Sequence, residues 1–229
     1  RRSSDNFEQD IGFNVFGELD TVSLLAFAGT GDAFVKVWYD QASTNDATQT
    51  ATGSQPKIVS SGAVIVENGK PAVDFDGSND FLQLPFSQGA LGAFHYVSVV
   101  TPSTAAQFQM IVDFRDANDD GTRVLLLNDA NVMSSADTAD ATAPYTATQQ
   151  IITTEFDGTD LTSIVNGTAG TSVTGASTNA TKNGRISSQS GVISQLLNGG
   201  IQELLIYFSD QSANRTGIET NINTFYSIY

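Results

Sequence analysis

Hydrophobic and polar positions along the chain fall into short blocks, most of them four to nine residues long and rich in Val, Ile, Phe and Tyr. In "PAVDFDG" (71–77), Val73 and Phe75 share one face while Asp74 and Asp76 share the other. That is the period-two pattern of a half-buried strand. "HYVSVVT" (95–101) is apolar on both faces and predicts a central strand. "FVKVWYD" (34–40), "DFLQLPF" (80–86), "FQMIVDF" (108–114), "TRVLLL" (122–127), "QQIITTEF" (149–156), "LTSIVNG" (161–167) and "GGIQELLIYF" (199–208) extend the series. Asn-Gly and Asp-Gly pairs at "ENGK" (67–70), "FDGSND" (75–80), "FDGTD" (156–160) and "VNGTAG" (165–170) separate the blocks. They supply the left-handed backbone that hairpin turns need.

Two segments carry helical spacing instead. Asp20 caps a short helix over "TVSLLAF", with Leu24, Leu25 and Phe27 turned inward. At the C-terminus Ile218, Ile222, Phe225, Tyr226 and Tyr229 form one stripe, and Ile218, Ile222 and Phe225 are expected to make the packed face. The tracts 134–149 and 168–183, rich in Ser, Thr and Ala, read as exposed loops or interface segments. Many strands, few helices and no βαβ alternation predict an all-β fold, a two-sheet antiparallel sandwich with a short N-terminal and a C-terminal helix. We expect one domain over 1–229, cut from a longer polypeptide because the chain opens at Arg1-Arg2.

Composition narrows the function. Twenty-five acidic against ten basic side chains give a net charge of −15, which repels phosphate backbones and anionic lipid. Nucleic-acid partners and membrane insertion are therefore not expected. With no cysteine, disulfides, zinc-thiolate sites and thiol catalysis are excluded. No segment is long and apolar enough to span a bilayer as a helix.

The series "WYDQASTNDATQTATGSQPKIVSSGAVIVENGKPAVDFDGSNDFLQL" (38–84) is more specific. It resembles the region of concanavalin A-like, LamG-type jelly rolls that runs from Trp-Tyr-Asp-Gln through an Asn-Gly-Lys-Pro turn to a Phe-Asp-Gly strand. The same series occurs in sequences similar to the catalytic domain of arabinofuranosidase B, and in modules of phage structural and bacterial surface proteins. The stretches before it and the strand-plus-helix ending (201–229) are similar to those of that wider group. The resemblance implies a jelly-roll sandwich. This chain departs from the enzymes in lacking their adjacent cysteine pair, and no residue here matches their catalytic carboxylates.

Trp38, the sole tryptophan, stands before a polar run (40–50). The burial energy of an indole favours a core or rim position over a solvent-facing sugar platform. Asp40 and Asn45 are then expected to cap the turn. Asp116, Asn118 and Asp120 followed by Gly121 fit the first half of a calcium loop, but the twelfth position is Leu127 where a bidentate Glu belongs. Either these oxygens form a calcium site in a β-hairpin, or they are an ordinary Asp/Asn/Gly turn. Glu67, Asp74, Asp76, Asp80, Glu155 and Glu203 are candidates for the paired carboxylates of glycoside hydrolysis, with no spacing to select among them. His95 is alone of its kind and reads as a packed or rim residue.

These readings converge on a non-catalytic, exposed structural or adhesion module of a virion or other extracellular surface. Phage capsid decoration or tail is the leading setting. Its partners are other virion or surface subunits or copies of itself as a homo-oligomer, with a cell-surface glycan as candidate ligand. The alternative is a glycoside hydrolase of the arabinofuranosidase B type.

Overall fold

The structure, a computed structural model, describes residues 1–90, 92–103, 108–115, 121–127, 131–136, 139–174, 179–190 and 193–229. Among these, two large antiparallel sheets form a jelly-roll-like sandwich. One sheet runs in the order 33–34, 57–60, 73–76, 198–207, 94–102, 150–156, 160–165 and 168–174, with 63–64 paired to 57–60. The other runs 139–144, 131–136, 122–127, 109–113, 179–186, 82–90, 47–48 and 37–38. A separate hairpin joins Val66–Glu67 to Lys70–Pro71.

The alternation read in the sequence sets the inward face. Val73 and Phe75 are buried while Asp74 and Asp76 turn away. Phe94–Pro102 is central, paired on both sides, and buried at all but one position. Phe94, Tyr96 and Val100 enter the core between the sheets with Phe75, Ile152 and Phe156. Both residues of the Asn68-Gly69 and Asn166-Gly167 pairs have positive φ, as two-residue hairpin turns require.

Thr21–Ala28 is the expected N-terminal helix, capped by Asp20, whose carboxylate accepts from the Ser23 backbone N–H at 3.1 Å. Leu24, Phe27 and Ala28 are its buried residues. Arg215–Tyr226 is the C-terminal helix, docked on the outer face of the first sheet. Ile222 and Tyr226 pack there against Val97, Val99 and Ile151, with Ile218 partly buried beside them. Phe225, expected in the packed face, is 45 % exposed. At 100° per residue the helix can aim one of two adjacent positions squarely at the sheet, and Tyr226 takes it.

Two other expectations are corrected. The segment 34–40 is two strands, since Ala33–Phe34 belongs to the first sheet and Val37–Trp38 to the second. The corner between them is held by backbone bonds from Val35 to Pro56 and from Gln49 to Lys36. The Ser/Thr/Ala tracts are strands within the sheets, for example Ala139–Pro144 and Thr168–Thr174. Ala139, Ala141 and Ala143 are buried in strict alternation. Small side chains hid this period, and they let the layers close together: a Cβ on Gly170 would collide with the Thr142 carbonyl and with Ala143.

Candidate functional site

A groove of about 760 Å³ opens beside the sandwich, and Trp38 and Tyr39 lie at its lip. Trp38 pairs with Ala47 in the edge strand of the second sheet, half-buried, with one part packed on the core and another on the groove. It is thus a rim residue. Tyr39 is 42 % exposed, and its hydroxyl donates to Asp10 Oδ1 at 2.7 Å. That bond first, then burial, holds the Tyr39 phenol above its ordinary range.

The run after Trp38 is a turn organised by Asp40. Its carboxylate accepts from the Ala42 backbone N–H at 2.8 Å and from the Ser43 hydroxyl, while Asn45 Nδ2 donates to Ser43 Oγ at 2.9 Å. The Ser43 bond, followed by those to backbone N–H groups, holds Asp40 below the usual carboxylate range. Asp40, Gln41 and Asn45 therefore reach the groove on a turn already fixed by its own hydrogen bonds.

The N-terminal segment crosses to both walls through side chains. Lys36 Nζ donates to Glu8 at 2.6 and 2.8 Å, and Lys70 Nζ donates to Glu18 at 2.5 Å while lying 3.9 Å from the centre of the Phe225 ring. The Lys70 hydrogen bond holds the Glu18 carboxyl low. On the same wall, next to Gln202, whose amide donates to the Lys70 carbonyl, burial pushes the Glu203 carboxyl up. Tyr226 stands beside it, with its phenol raised by burial and then by the Glu203 charge.

Of the six carboxylates singled out in the sequence, only Glu203 lines the groove. Asp76 and Asp80 share the 75–80 turn, where Asp76 accepts from the N–H groups of Ser78 and Asn79. Burial, then the Asp76 charge, pushes Asp80 up to about 7. Burial likewise raises Glu67 and Asp74. Glu155 lies under the C-terminal helix, 3.5 Å from Arg215 Nε. His95 is fully buried there too, with Nδ1 3.6 Å from Glu155 Oε2; burial, then Arg215, pushes it down to about 4. It is a packed residue away from the groove.

Asp116, Asn118 and Asp120 lie outside the described residues. The strands on either side, Gln109–Asp113 and Thr122–Leu127, pair antiparallel. Among the described residues no group of three His, Asp or Glu side chains is placed to hold a metal ion, and no helix is long and apolar enough to cross a membrane. The sequence offered Trp38 as a site candidate but missed Glu8, Asp10 and Glu18, because nothing local to them signals that the chain folds back across the groove.

Fold and groove define a jelly-roll-like sandwich with a lateral cleft, and solved structures contain the same architecture. No family model and no curated protein matches the sequence. The chain superposes with a TM-score of 0.72 on an arabinofuranosidase complexed with arabinofuranosyl-α-1,2-xylobiose, at 12% identity, over 94% of this chain and 56% of that one. A GH54 α-L-arabinofuranosidase soaked with a cyclic sulfate inhibitor gives 0.71 at 13% identity, over 96% and 57%. The receptor-binding domain of botulinum neurotoxin type G gives 0.52 at 12% identity, over 84% and 50%. The chain thus spans a little over half the length of these arabinofuranosidases. At such identities the likeness is one of fold.

Proposed function

We propose that the chain is a non-catalytic, surface-exposed structural and adhesion module that takes a glycan in the groove at Trp38. The observation that carries this is the lip itself, a half-buried indole and an exposed phenol beside Asp10, Asp40, Gln41 and Asn45. A sugar ring has apolar C–H faces that suit an aromatic side chain and hydroxyls that suit planar carboxylates and amides. The turn and the Tyr39–Asp10 bond hold these groups in place before binding, which lowers the ordering cost.

The non-catalytic reading is supported by the engagement of the groove carboxylates. Glycoside hydrolysis needs two carboxyl groups roughly 5–10 Å apart in different protonation states. Glu8 and Glu18 are tied to lysines, Asp10 accepts from Tyr39 and Asp40 organises its own turn. Glu203, raised by burial, is the acid that keeps the alternative of an arabinofuranosidase B-type hydrolase worth an assay. A virion or other extracellular setting, phage capsid decoration or tail foremost, is supported by the sequence resemblance, and the partners would be neighbouring subunits of that assembly.

The test is a glycan array followed by calorimetry on the best-retained oligosaccharide. Trp38→Ala should weaken binding at least about tenfold, the loss expected for an anchor of the contact. An array with no retained glycan, or unchanged affinity in Trp38→Ala, would overturn the glycan reading. Chromophore release from an aryl arabinofuranoside, abolished by Glu203→Gln, would overturn the non-catalytic one.

A further inference from the structure

The strand Asn198–Tyr207 is paired on one side from Gly199 to Tyr207, against Phe94–Pro102. On its other side only Asn198 to Ile201 have partners, in Val73–Asp76. The second pairing ends at a bulge. Val99 faces Glu203 and Val100 faces Ile201, which leaves Gln202 as the extra residue. There the neighbouring chain peels away into the hairpin of Val66–Glu67 and Lys70–Pro71, and Pro71 has no N–H with which to continue a ladder. Gln202 Nε2 fixes the departure by donating to the carbonyls of Glu67, Lys70 and Pro71 at 3.0–3.3 Å.

Among the described residues, no strand pairs with Glu203–Tyr207 on that side, and the groove runs along it. All five residues are only half-buried, although the strand is internal in the sheet order. The open edge is ~17 Å long at 3.4 Å per residue, the length of an ordinary strand. Proteins usually cover, shorten or charge such an edge, because it is a template for another chain. Here it is left open inside an apolar cleft.

The surroundings select the occupant. Leu204 and Ile206 face the core side, so an added strand would find an apolar surface at alternate positions. Three basic side chains line the walls: Lys36 and Lys70 are already paired with Glu8 and Glu18, and Arg1 donates to Gln55, Asn6 and the Thr52 carbonyl. Among the described residues Asp10, Asp40 and Glu203 form no ion pair, so the lining holds five acids against three basic side chains. A second copy of a chain carrying −15 would be repelled.

We infer that Glu203–Tyr207 receives an extended basic segment of a different protein, added as a strand. Its apolar side chains rest on Leu204 and Ile206, and lysine or arginine at the intervening positions faces the side of the strand that carries Glu203. The inference rests on the assembly half of the proposed function and names the chemistry of the joining partner.

The probe is a short blocked peptide alternating lysine and valine. Two controls accompany it, the same peptide with every backbone nitrogen methylated and one with glutamate for lysine. Emission from Trp38, the chain's sole tryptophan, reports groove occupancy, and amide hydrogen exchange reports the ladder. The lysine peptide should shift the emission saturably and slow exchange in 203–207 about tenfold or more. Both controls should bind at least about tenfold more weakly. Ile206→Lys, checked for an unchanged melting transition, should weaken binding similarly; should it unfold, the wild-type exchange map alone decides. Three results would overturn the inference: no peptide binding at millimolar concentration, binding without protection of 203–207, or equal binding of the methylated peptide. Protection that rises with protein concentration without peptide would also overturn it, in favour of a second copy. Peptide failure with the Trp38-dependent glycan contact intact removes this inference and leaves the glycan reading standing.

Discussion

Replacing Asp80 by asparagine should stabilise the protein at pH 8 and leave it nearly unchanged at pH 4. Asp80 is 7 % exposed in the 75–80 turn and accepts from the Asp76 backbone N–H at 3.2 Å. Burial, reinforced by the Asp76 charge, pushes its carboxyl from 3.8 up to about 7. A folded value above the unfolded one means the folded state holds the proton more tightly. The resulting stability is complete below about 3.8 and is lost as the pH rises through about 7. Roughly three units at about 1.36 kcal/mol each set a ceiling of ~4 kcal/mol on that loss. Asparagine is neutral throughout, and its amide oxygen can keep accepting from Asp76. Because His95 is shifted down by burial, it works in the opposite direction, losing stability as the pH falls through about 4. The measurement is therefore a difference, urea unfolding of wild type and Asp80→Asn side by side from pH 4 to pH 8. The variant's advantage should grow across that window to about 2–4 kcal/mol. A difference that does not change with pH, or a variant less stable at pH 8, would refute the reasoning.

Tyr226→Ala should cost about 3–5 kcal/mol in denaturant unfolding, since its ring is buried against the sheet, whereas Phe225→Ala should stay within about 1 kcal/mol. Equal losses would mean the helix is rotated from the position described. Gly170→Ala should lower stability by about 1–3 kcal/mol, because its Cβ meets backbone of the neighbouring strand; an unchanged melting temperature would show that these layers are farther apart. For Asp116, Asn118 and Asp120, thermal unfolding with calcium and with chelator should coincide if the loop is a plain hairpin turn. A rise with calcium that Asp116→Asn with Asp120→Asn removes would make it a metal loop.

Local pattern was enough for the strands with large side chains, for the Asn-Gly turns, for the capped helix at Asp20 and for the two-sheet class. Each of these depends on neighbours within a few residues, where side-chain period and positive-φ chemistry act. The Ala139–Pro144 strand escaped the same reading because alanine, serine and threonine carry little hydrophobic contrast, so its period appears only once Ala139, Ala141 and Ala143 are seen buried. Helical spacing likewise pointed to Phe225 where Tyr226 is the buried ring, since spacing defines a stripe but the sheet beneath selects its centre. The groove belongs wholly to the tertiary structure. It exists because the chain changes sheets between Phe34 and Val37, because Gln202 ends one ladder and Pro71 cannot extend it, and because Glu8, Asp10 and Glu18 return from 28 to 52 residues away to meet Lys36, Tyr39 and Lys70. Trp38 could be named from the sequence as a rim candidate; what it faces is decided by contacts that no local stretch encodes.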